Sequence, residues 1–257
     1  MSDARADRDL LADAARAAGQ LVLAFRARGM RDWEKNPGDP VSDADLASDA
    51  LLQERLKTAR PDYGWLSEET ADDQSRLTAR RSFVIDPIDG TRAFLKNKPE
   101  FVISCAVVEE GRPVAGAIYD PSADVMYDAA LKEGARKDGV RLSISRHDSI
   151  EGARLIGDPG RLADLRALGA DAHTVNSAAL RLCLLAAGEA DAVVAVRPKW
   201  DWDLAAGHIL VEEAGGVFTS SKGEAVYYNR TNAVQDPPLA AGPVLHALLL
   251  DRLKQTR

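Results

Sequence analysis

The first sixty residues carry apolar positions at helical spacing. Between residues 10 and 25 the apolar side chains recur three or four positions apart, which predicts an amphipathic helix ended by Gly29. A second helix is predicted to begin at Ser42 or Asp43, because both are good N-cap residues. It stops before Pro61, since the residue ahead of a proline disfavours the helical conformation. Two helices therefore precede the first clear strand.

Short β-prone runs predict strands further along the chain. Residues 102–108 and 114–119 form two such runs around a turn at 110–112. Further strands are predicted at 83–85, 125–127, 192–196 and 217–219, further helices at 177–187, 203–214 and 244–254, and a loop at 33–40. Because no glycine-rich dinucleotide or P-loop motif accompanies them, these elements predict a layered mixture of helices and sheets, of class α/β (α+β).

The length of 257 residues suits one large domain or two closely joined ones. No low-complexity linker divides the sequence, and its 19 Gly and 12 Pro are scattered. The loop at 132–139 is the best candidate boundary. We therefore expect two closely packed halves, 1–132 and 133–257, with a single domain as the alternative.

Composition and charge narrow the class of protein. The chain is 46% hydrophobic and has a formal net charge of −7. Its apolar runs fall far short of the roughly 18 residues that a membrane span needs, and residues 1–16 do not form a signal core. Cys105 and Cys183 lie in apolar runs, which indicates buried thiols. We expect a soluble cytoplasmic protein that does not bind nucleic acid, because such binding normally needs a basic patch.

The most informative segment is Asp86-Pro87-Ile88-Asp89-Gly90-Thr91. Two carboxylates three residues apart at the end of a strand can converge on one point, where like charges would repel unless a cation lay between them. Carboxylate and carbonyl oxygens suit hard cations such as Mg²⁺ or Mn²⁺. A polar turn between strand and helix is the alternative interpretation.

Two further acidic segments accompany this one. Glu68 and Glu69 end an apolar run, and Asp201 and Asp203 lie where a helix is predicted to start. A helix cap is the alternative role for Asp203, because Asp is a preferred N-cap. A helix N-terminus is also where anions and metal ions gather.

The order of these segments resembles the inositol monophosphatase superfamily of Mg²⁺-dependent, typically lithium-sensitive phosphatases. The resemblance is carried by residues 66–70, 86–91 and 202–207, with residues 40–45 upstream, and it covers nearly the whole chain. It implies a layered αβαβα sandwich and two or three Mg²⁺ ions per site, with Mn²⁺ as an alternative. It also implies a small-molecule phosphate monoester as substrate, and homodimers are common in the superfamily.

The resemblance also implies a set of metal ligands. Four carboxylates match the metal-binding acids of the family, and one further residue matches the donor of a backbone carbonyl. These residues are Glu68, Asp86, Asp89, Asp203 and Ile88. An acidic site would repel a phosphate anion unless bound metal ions reversed the local charge, so this ligand set is consistent with metal-assisted attack of water on the ester.

Catalytic and substrate-binding residues follow from the same resemblance. Thr91 and Asp45 match the pair that positions and deprotonates the attacking water, while Gly90 and Thr91 open a helix whose N–H groups hold the phosphate. Ser177 is expected to contact the substrate, although Asn176 stands where the family usually has glycine. Because Trp-Asp occurs twice at 200–203, either Asp201 or Asp203 could match the metal ligand of the family. We assign the ligand to Asp203, because residues 204–207 follow it as in the family, and keep Asp201 as the fallback.

Within the superfamily the chain most resembles the 3′(2′),5′-bisphosphate nucleotidase branch, which hydrolyses 3′-phosphoadenosine 5′-phosphate to AMP and phosphate. Inositol monophosphatases typically carry a Glu near residue 195, where this chain has Ala195 followed by Arg197 and Lys199. Basic side chains suit a second phosphate, so Arg197 is a candidate substrate ligand, with a solvated strand end as the alternative. Other functions left open are a phosphatase for inositol, sugar, polyol or histidinol phosphates and a binding factor of the transcription machinery.

Overall fold

The computed structural model describes residues 3–255, which form the following elements. The helices are α1 (Asp3–Arg28), α2 (Asp43–Ala59), α3 (Thr91–Leu95), α4 (Pro159–Arg166), α5 (Ala178–Ala186), α6 (Asp201–Glu213) and α7 (Pro243–Gln255). The first eight strands are β1 (Asp32–Asn36), β2 (Asp39–Ser42), β3 (Gly64–Ser67), β4 (Arg81–Asp89), β5 (Val102–Glu109), β6 (Arg112–Asp120), β7 (Val125–Ala130) and β8 (Gly134–Lys137). The remaining strands are β9 (Val140–Arg141), β10 (Arg154–Gly157), β11 (Asp171–His173), β12 (Ala192–Val194), β13 (Lys199–Trp200), β14 (Val217–Ser220), β15 (Val234–Gln235) and β16 (Pro238–Ala241).

A seven-stranded sheet organises the first half of the chain. Its strand order is β3-β4-β5-β6-β7-β8-β9, with β3 parallel to β4 and the other neighbours antiparallel. Strand β5 shows why both faces are covered. Ile103 and Val107 join the cluster formed with α1 and α2, whereas Val102 and Ala106 join the cluster formed with α5 and α6. Side chains alternate between the faces of a strand, so an unbroken apolar strand fits only between two layers.

A second, five-stranded sheet completes the layers, with order β11-β10-β12-β16-β14. Helices α5 and α6 pack between the two sheets, and α4 and α7 pack against the outer face of the smaller sheet. The sequence of layers is therefore α1 and α2, the large sheet, α5 and α6, the small sheet, and α4 and α7. This architecture confirms the expected αβαβα sandwich.

The strongly periodic elements were predicted at or near their observed bounds, but the loop predicted at 33–40 was wrong. That segment forms the β1–β2 hairpin, with Trp33 paired to Val41 and the turn at Pro37-Gly38. Every residue of β1 is exposed, so the strand has no apolar alternation from which it could be recognised. The Pro-Gly pair was the available turn signal.

The proposed boundary between halves falls in the turn that joins β7 to β8, two hydrogen-bonded strands of the large sheet. Strands β8 and β9 thus extend that sheet beyond residue 132, and the division into two halves stays a prediction. Among residues 3–255, no helix is both long and apolar enough to cross a membrane.

Gly157 lies where strand β10 runs close to β12. A Cβ at this position would overlap the carbonyl oxygen of Val194, a backbone atom that cannot move aside without disturbing the strand pairing. We expect Gly157→Ala to lower the free energy of unfolding by about 1–3 kcal/mol, the usual cost of overpacking. Urea denaturation measures the change.

Gly160→Ala is the matched control for that substitution. Gly160 lies in α4, and in the described part of the chain a Cβ there would meet no atom within 4 Å beyond its chain neighbours and its own helix backbone. Because alanine favours helix over glycine, this variant should be as stable as the parent or more stable. Equal stability of the two variants would contradict the close approach at Gly157.

Candidate active site

Asp86 and Asp89 reach the same cleft from the end of strand β4. Residues three apart on a regular strand point to opposite faces, but the pairing of β4 with β5 is irregular between these two positions. Both residues are buried and line the cleft. The backbone N–H of Ile88 donates to Asp86 Oδ1 over 3.0 Å, which fixes that carboxylate within the turn. The irregular strand end thus brings the two acids together.

Asp203 joins this pair from the first turn of α6. One carboxylate oxygen from each of Asp86, Asp89 and Asp203 lies within 4.8 Å of the others. The backbone N–H of Trp200 donates to Asp203 Oδ2 over 2.8 Å, so the side chain caps its own helix and faces the cleft as well.

Asp201, the alternative to Asp203 as metal ligand, lies outside the cluster of carboxylates. It is fully buried and accepts hydrogen bonds from the Asn229 backbone N–H at 2.7 Å and from Gln235 Nε2 at 2.6 Å. Those contacts anchor the start of α6 to the loop after β14 and to strand β15. The geometry therefore places Asp203, and not Asp201, among the clustered carboxylates.

Glu68 lines the same cleft from the neighbouring strand end. It follows β3, which runs parallel to β4, and its backbone N–H donates to the Ile85 carbonyl over 3.3 Å. Lys35 of strand β1 lies 3.2 Å from the Glu68 carboxylate and 2.8 Å from that of Glu69. Sequence reasoning missed Lys35, because nothing in the local pattern joins it to acids more than thirty residues away.

The electrostatics of the cleft favour a bound cation. Desolvation raises the pKa of Asp86 well above its usual value, with further contributions from the charges of Glu68 and Asp89. Desolvation likewise raises the pKa of Glu68 to about 8, against the opposing charge of Lys35, and that of Asp203 to about 7. Neighbouring carboxylates that resist ionisation together are stabilised by a hard divalent cation, so this donor set fits Mg²⁺ or Mn²⁺.

Asp45 and Thr91 form a hydrogen-bonded pair beside the cluster. Thr91 Oγ1 lies 3.1 Å from Asp45 Oδ1 and 2.9 Å from the Ile88 carbonyl oxygen. The other Asp45 oxygen accepts from the Ser42 backbone N–H at 2.8 Å and from its hydroxyl at 2.6 Å. Burial raises the pKa of Asp45, while these hydrogen bonds oppose that shift. The pair that the resemblance assigned to the attacking water is thus in contact.

Gly90 permits the sharp turn between the acids and helix α3. Its φ of +101° is in the left-handed region, and a Cβ would lie 2.6 Å from the Glu100 carbonyl oxygen. A side chain at this position would therefore be strained and would also collide with the backbone. Glycine allows Thr91 to follow directly after the acidic turn, and both residues line the cleft.

Ser177 and Arg197 lie away from the cleft surface. Ser177 is fully buried, and its hydroxyl donates to Asp89 Oδ2 over 2.6 Å while accepting from the Leu180 backbone N–H. Arg197 is exposed, and its backbone N–H lies 3.4 Å from Asp158 Oδ2. Neither is among the described residues that line the cleft. This placement does not support a substrate contact for either residue, and both assignments stay predictions.

The cleft has a volume of about 250 Å³ and extends beyond the predicted residues. Sequence reasoning missed the part formed by the hairpin, by α3 and by the segment before α5. These lining residues are Gly38, Asp39, Pro40, Arg92 and Asn176. Arg92 meets the hairpin residues because the β1–β2 hairpin packs against α3, and Asn176 reaches the cleft from a segment that contacts Glu100. These tertiary contacts leave no local signal.

Clustered buried carboxylates beside a hydroxyl–carboxylate pair, on an αβαβα sandwich, define a metal-dependent phosphatase. The sequence model of the inositol monophosphatase family matches residues 6–256. The chain therefore belongs to the inositol monophosphatase family.

Three curated relatives carry different names. The 3′(2′),5′-bisphosphate nucleotidase CysQ of Salmonella typhimurium is 32% identical over 231 residues, 87% of this chain and 94% of the relative. The Nus factor SuhB of Haemophilus influenzae is 32% identical over 87% of this chain and 88% of the relative. An inositol-1-monophosphatase of Rhizobium meliloti is 36% identical over 74% of this chain and 75% of the relative. At such identities the family is shared, while the names of these relatives give different functions.

A solved structure supports the same assignment. The extragenic suppressor protein suhB of Bartonella henselae superposes with a TM-score of 0.87 and 28% sequence identity, covering 98% of this chain and all of that chain. The layered architecture described above is thus the fold of a known relative.

Proposed function

We propose that this phosphatase is a 3′(2′),5′-bisphosphate nucleotidase that hydrolyses 3′-phosphoadenosine 5′-phosphate to AMP and phosphate. The observation that carries phosphatase chemistry is the approach of Asp86, Asp89 and Asp203 to within 4.8 Å beside the Asp45–Thr91 pair. The nucleotide substrate is supported by the similarity to CysQ, which extends over 94% of that relative. A cytoplasmic location and a homodimer belong to the same proposal as family traits.

Glu68, Asp86, Asp89 and Asp203 would hold Mg²⁺, together with the Ile88 carbonyl, at two or three positions. When bound, Mg²⁺ supplies positive charge that attracts the phosphate and makes a water molecule more acidic. The chain's own residues then handle the proton. Thr91 Oγ1 donates a hydrogen bond to Asp45 Oδ1, so its lone pairs can accept a hydrogen bond from the attacking water. As the proton of the water moves to Oγ1, the hydroxyl's own proton would pass to the Asp45 carboxylate. Ser42 holds the second Asp45 oxygen and so fixes the orientation of the pair.

The test compares phosphate release from 3′-phosphoadenosine 5′-phosphate, inositol 1-phosphate and histidinol phosphate, with Mg²⁺ and with or without lithium. We expect kcat/KM to favour the bisphosphate by tenfold or more, about 1.4 kcal/mol in transition-state binding, and lithium to inhibit. A preference for inositol phosphate or histidinol phosphate would keep the mechanism and replace the substrate.

The Haemophilus influenzae relative favours a second candidate function, as a binding factor of the transcription machinery. The described cleft retains the acids that catalysis would need, whereas a binding role needs none of them. Absence of turnover on all three substrates, with Mg²⁺ bound, would support this second function.

Thr91→Ala is expected to lower kcat by about a hundredfold, within the range that a positioned proton-transfer group contributes. The substitution removes the hydroxyl that contacts Asp45 but no carboxylate, so Mg²⁺ affinity should change little. Steady-state kinetics and calorimetric Mg²⁺ titration separate the two effects. Thr91→Ser keeps the hydroxyl and is the matched control, expected to retain most activity. Equal losses in both variants would indicate packing of the methyl group instead of proton transfer.

A further inference from the structure

The charges around the cleft leave one side chain available for a second anion. Five carboxylates line it, namely Asp39, Glu68, Asp86, Asp89 and Asp203. Arg92 is the one cationic side chain among the described lining residues. The carboxylates can be balanced by divalent cations, which would also hold the phosphate being cleaved. A substrate with a second phosphate brings further negative charge that a cation outside the acidic cluster must meet.

Other cations near the site already have partners or lie outside it. Lys35 is held between the carboxylates of Glu68 and Glu69. Arg181 is buried, with an ion pair to Asp158 at 3.0 Å and a hydrogen bond to the Val175 carbonyl at 2.7 Å. The half-buried Lys199 is not among the described lining residues; its charge opposes the desolvation that raises the pKa of Asp203 and contributes to the lowered pKa of Asp158.

The position and the free donors of Arg92 suit the binding of a second phosphate. It directly follows Thr91 on α3, so its backbone is fixed by the turn that carries the catalytic residues. Its side chain is exposed, and Nη2 donates to the Gly38 carbonyl at the tip of the β1–β2 hairpin. A guanidinium has five N–H donors, so this contact leaves donors for a phosphate, which arginine binds in a bidentate manner.

We propose that Arg92 binds the phosphate of the substrate that is not hydrolysed and so determines the preference for bisphosphates. This inference rests on the proposed nucleotidase function and replaces Arg197 as the residue that distinguishes bisphosphates from monophosphates. The Gly38 contact steers the guanidinium toward the cleft and joins the hairpin to the recognition of substrate.

The experiment measures kcat/KM for 3′-phosphoadenosine 5′-phosphate and for adenosine 3′-monophosphate, which has the same scissile phosphate and no second one. Arg92→Gln should lower the ratio of the two values by about tenfold to a hundredfold, the loss expected for a charged hydrogen bond. The change should appear mainly in KM for the bisphosphate. Arg92→Lys keeps the positive charge but cannot bind a phosphate in a bidentate manner. Its ratio of kcat/KM values should lie between those of the parent and Arg92→Gln. Arg197→Gln is the matched control and should leave the ratio unchanged.

Each outcome separates the inference from the function on which it rests. A parent enzyme that prefers the bisphosphate, with a ratio unchanged in Arg92→Gln, would reject the role of Arg92 and keep the nucleotidase. Equal losses on both substrates would assign Arg92 to support of the hairpin and overturn the inference. A ratio lowered in Arg197→Gln alone would assign recognition of the second phosphate to Arg197, as the sequence suggested, and would overturn the inference. A parent enzyme with no preference would overturn both proposals.

Discussion

Replacing Asp86 by asparagine is expected to lower kcat/KM by about a thousandfold or more, which corresponds to the several kcal/mol that a catalytic metal ion contributes. Asp86 lies at the centre of the acidic cluster, and both its burial and its neighbours Glu68 and Asp89 raise its pKa. Asparagine keeps the shape and one oxygen but removes the negative charge that a divalent cation needs. Kinetics over a range of Mg²⁺ concentrations, with calorimetric Mg²⁺ binding, would measure the effect.

The stability of the Asp86→Asn variant should move in the opposite direction from its activity. Without bound metal, a buried carboxylate near Asp89 and Glu68 costs free energy, so its neutral isostere should raise the melting temperature or leave it unchanged. Such a trade between stability and function is common at active sites. A variant that kept most of the parent activity would contradict the metal-site assignment.

Asp128→Asn is the control for the general effect of removing a buried aspartate. Asp128 is buried in strand β7 and forms an ion pair with Arg136 at 2.7 Å, far along the sheet from the cleft. We expect this variant to lose about 1.5–3 kcal/mol of unfolding free energy, the range for hydrogen bonds to charged groups, and to keep its kcat/KM. The two variants together separate chemistry from folding.

The sequence allowed prediction of those parts of the fold in which the buried residues form an apolar helix face or an apolar run. Helix α1 was recognisable because its apolar side chains enter the core at a period of 3.6, and β5 and β6 were recognisable as short, nearly continuous apolar runs on either side of a turn. Strand β1 was missed because all five of its residues are exposed. Strands β13 and β15 have two residues each and are defined only by their pairing with each other, so no local sequence pattern predicts them.

The candidate site divides in a similar way between local and tertiary information. The turn from Asp86 to Thr91 was recognisable because its acids, glycine and hydroxyl are contiguous in the sequence. The choice between Arg92 and Arg197 was not, since it depends on which basic side chain the folded hairpin brings to the cleft. Ser177 shows the same limit, because its hydroxyl contacts Asp89, 88 positions earlier in the chain.

The second large effect concerns Asp201 and Asp203 at the start of α6, whose replacement should have opposite effects on activity and stability. Asp203→Ala is expected to lower kcat/KM by about a thousandfold or more, since it removes one of the three clustered carboxylates. Its effect on folding should be small, because the N–H of the exposed Trp200 that it caps can bond to water instead, and because desolvation and the nearby Asp89 raise the pKa of Asp203 and make its charged form costly to bury. Phosphate release and thermal melting measure the two quantities.

Asp201→Ala should give the reverse profile. Its carboxylate accepts from the Asn229 backbone N–H and from Gln235 Nε2, so alanine would remove the acceptor of a part-buried and of a buried donor. Each unsatisfied donor costs about 1–3 kcal/mol, and the free energy of unfolding should fall by at least the lower value. Measured below its melting temperature, the variant should keep its kcat/KM within a few-fold of the parent. If Asp201→Ala lost turnover and Asp203→Ala kept it, the metal ligand would be Asp201, and the geometry of α6 described above would not be that of the active enzyme.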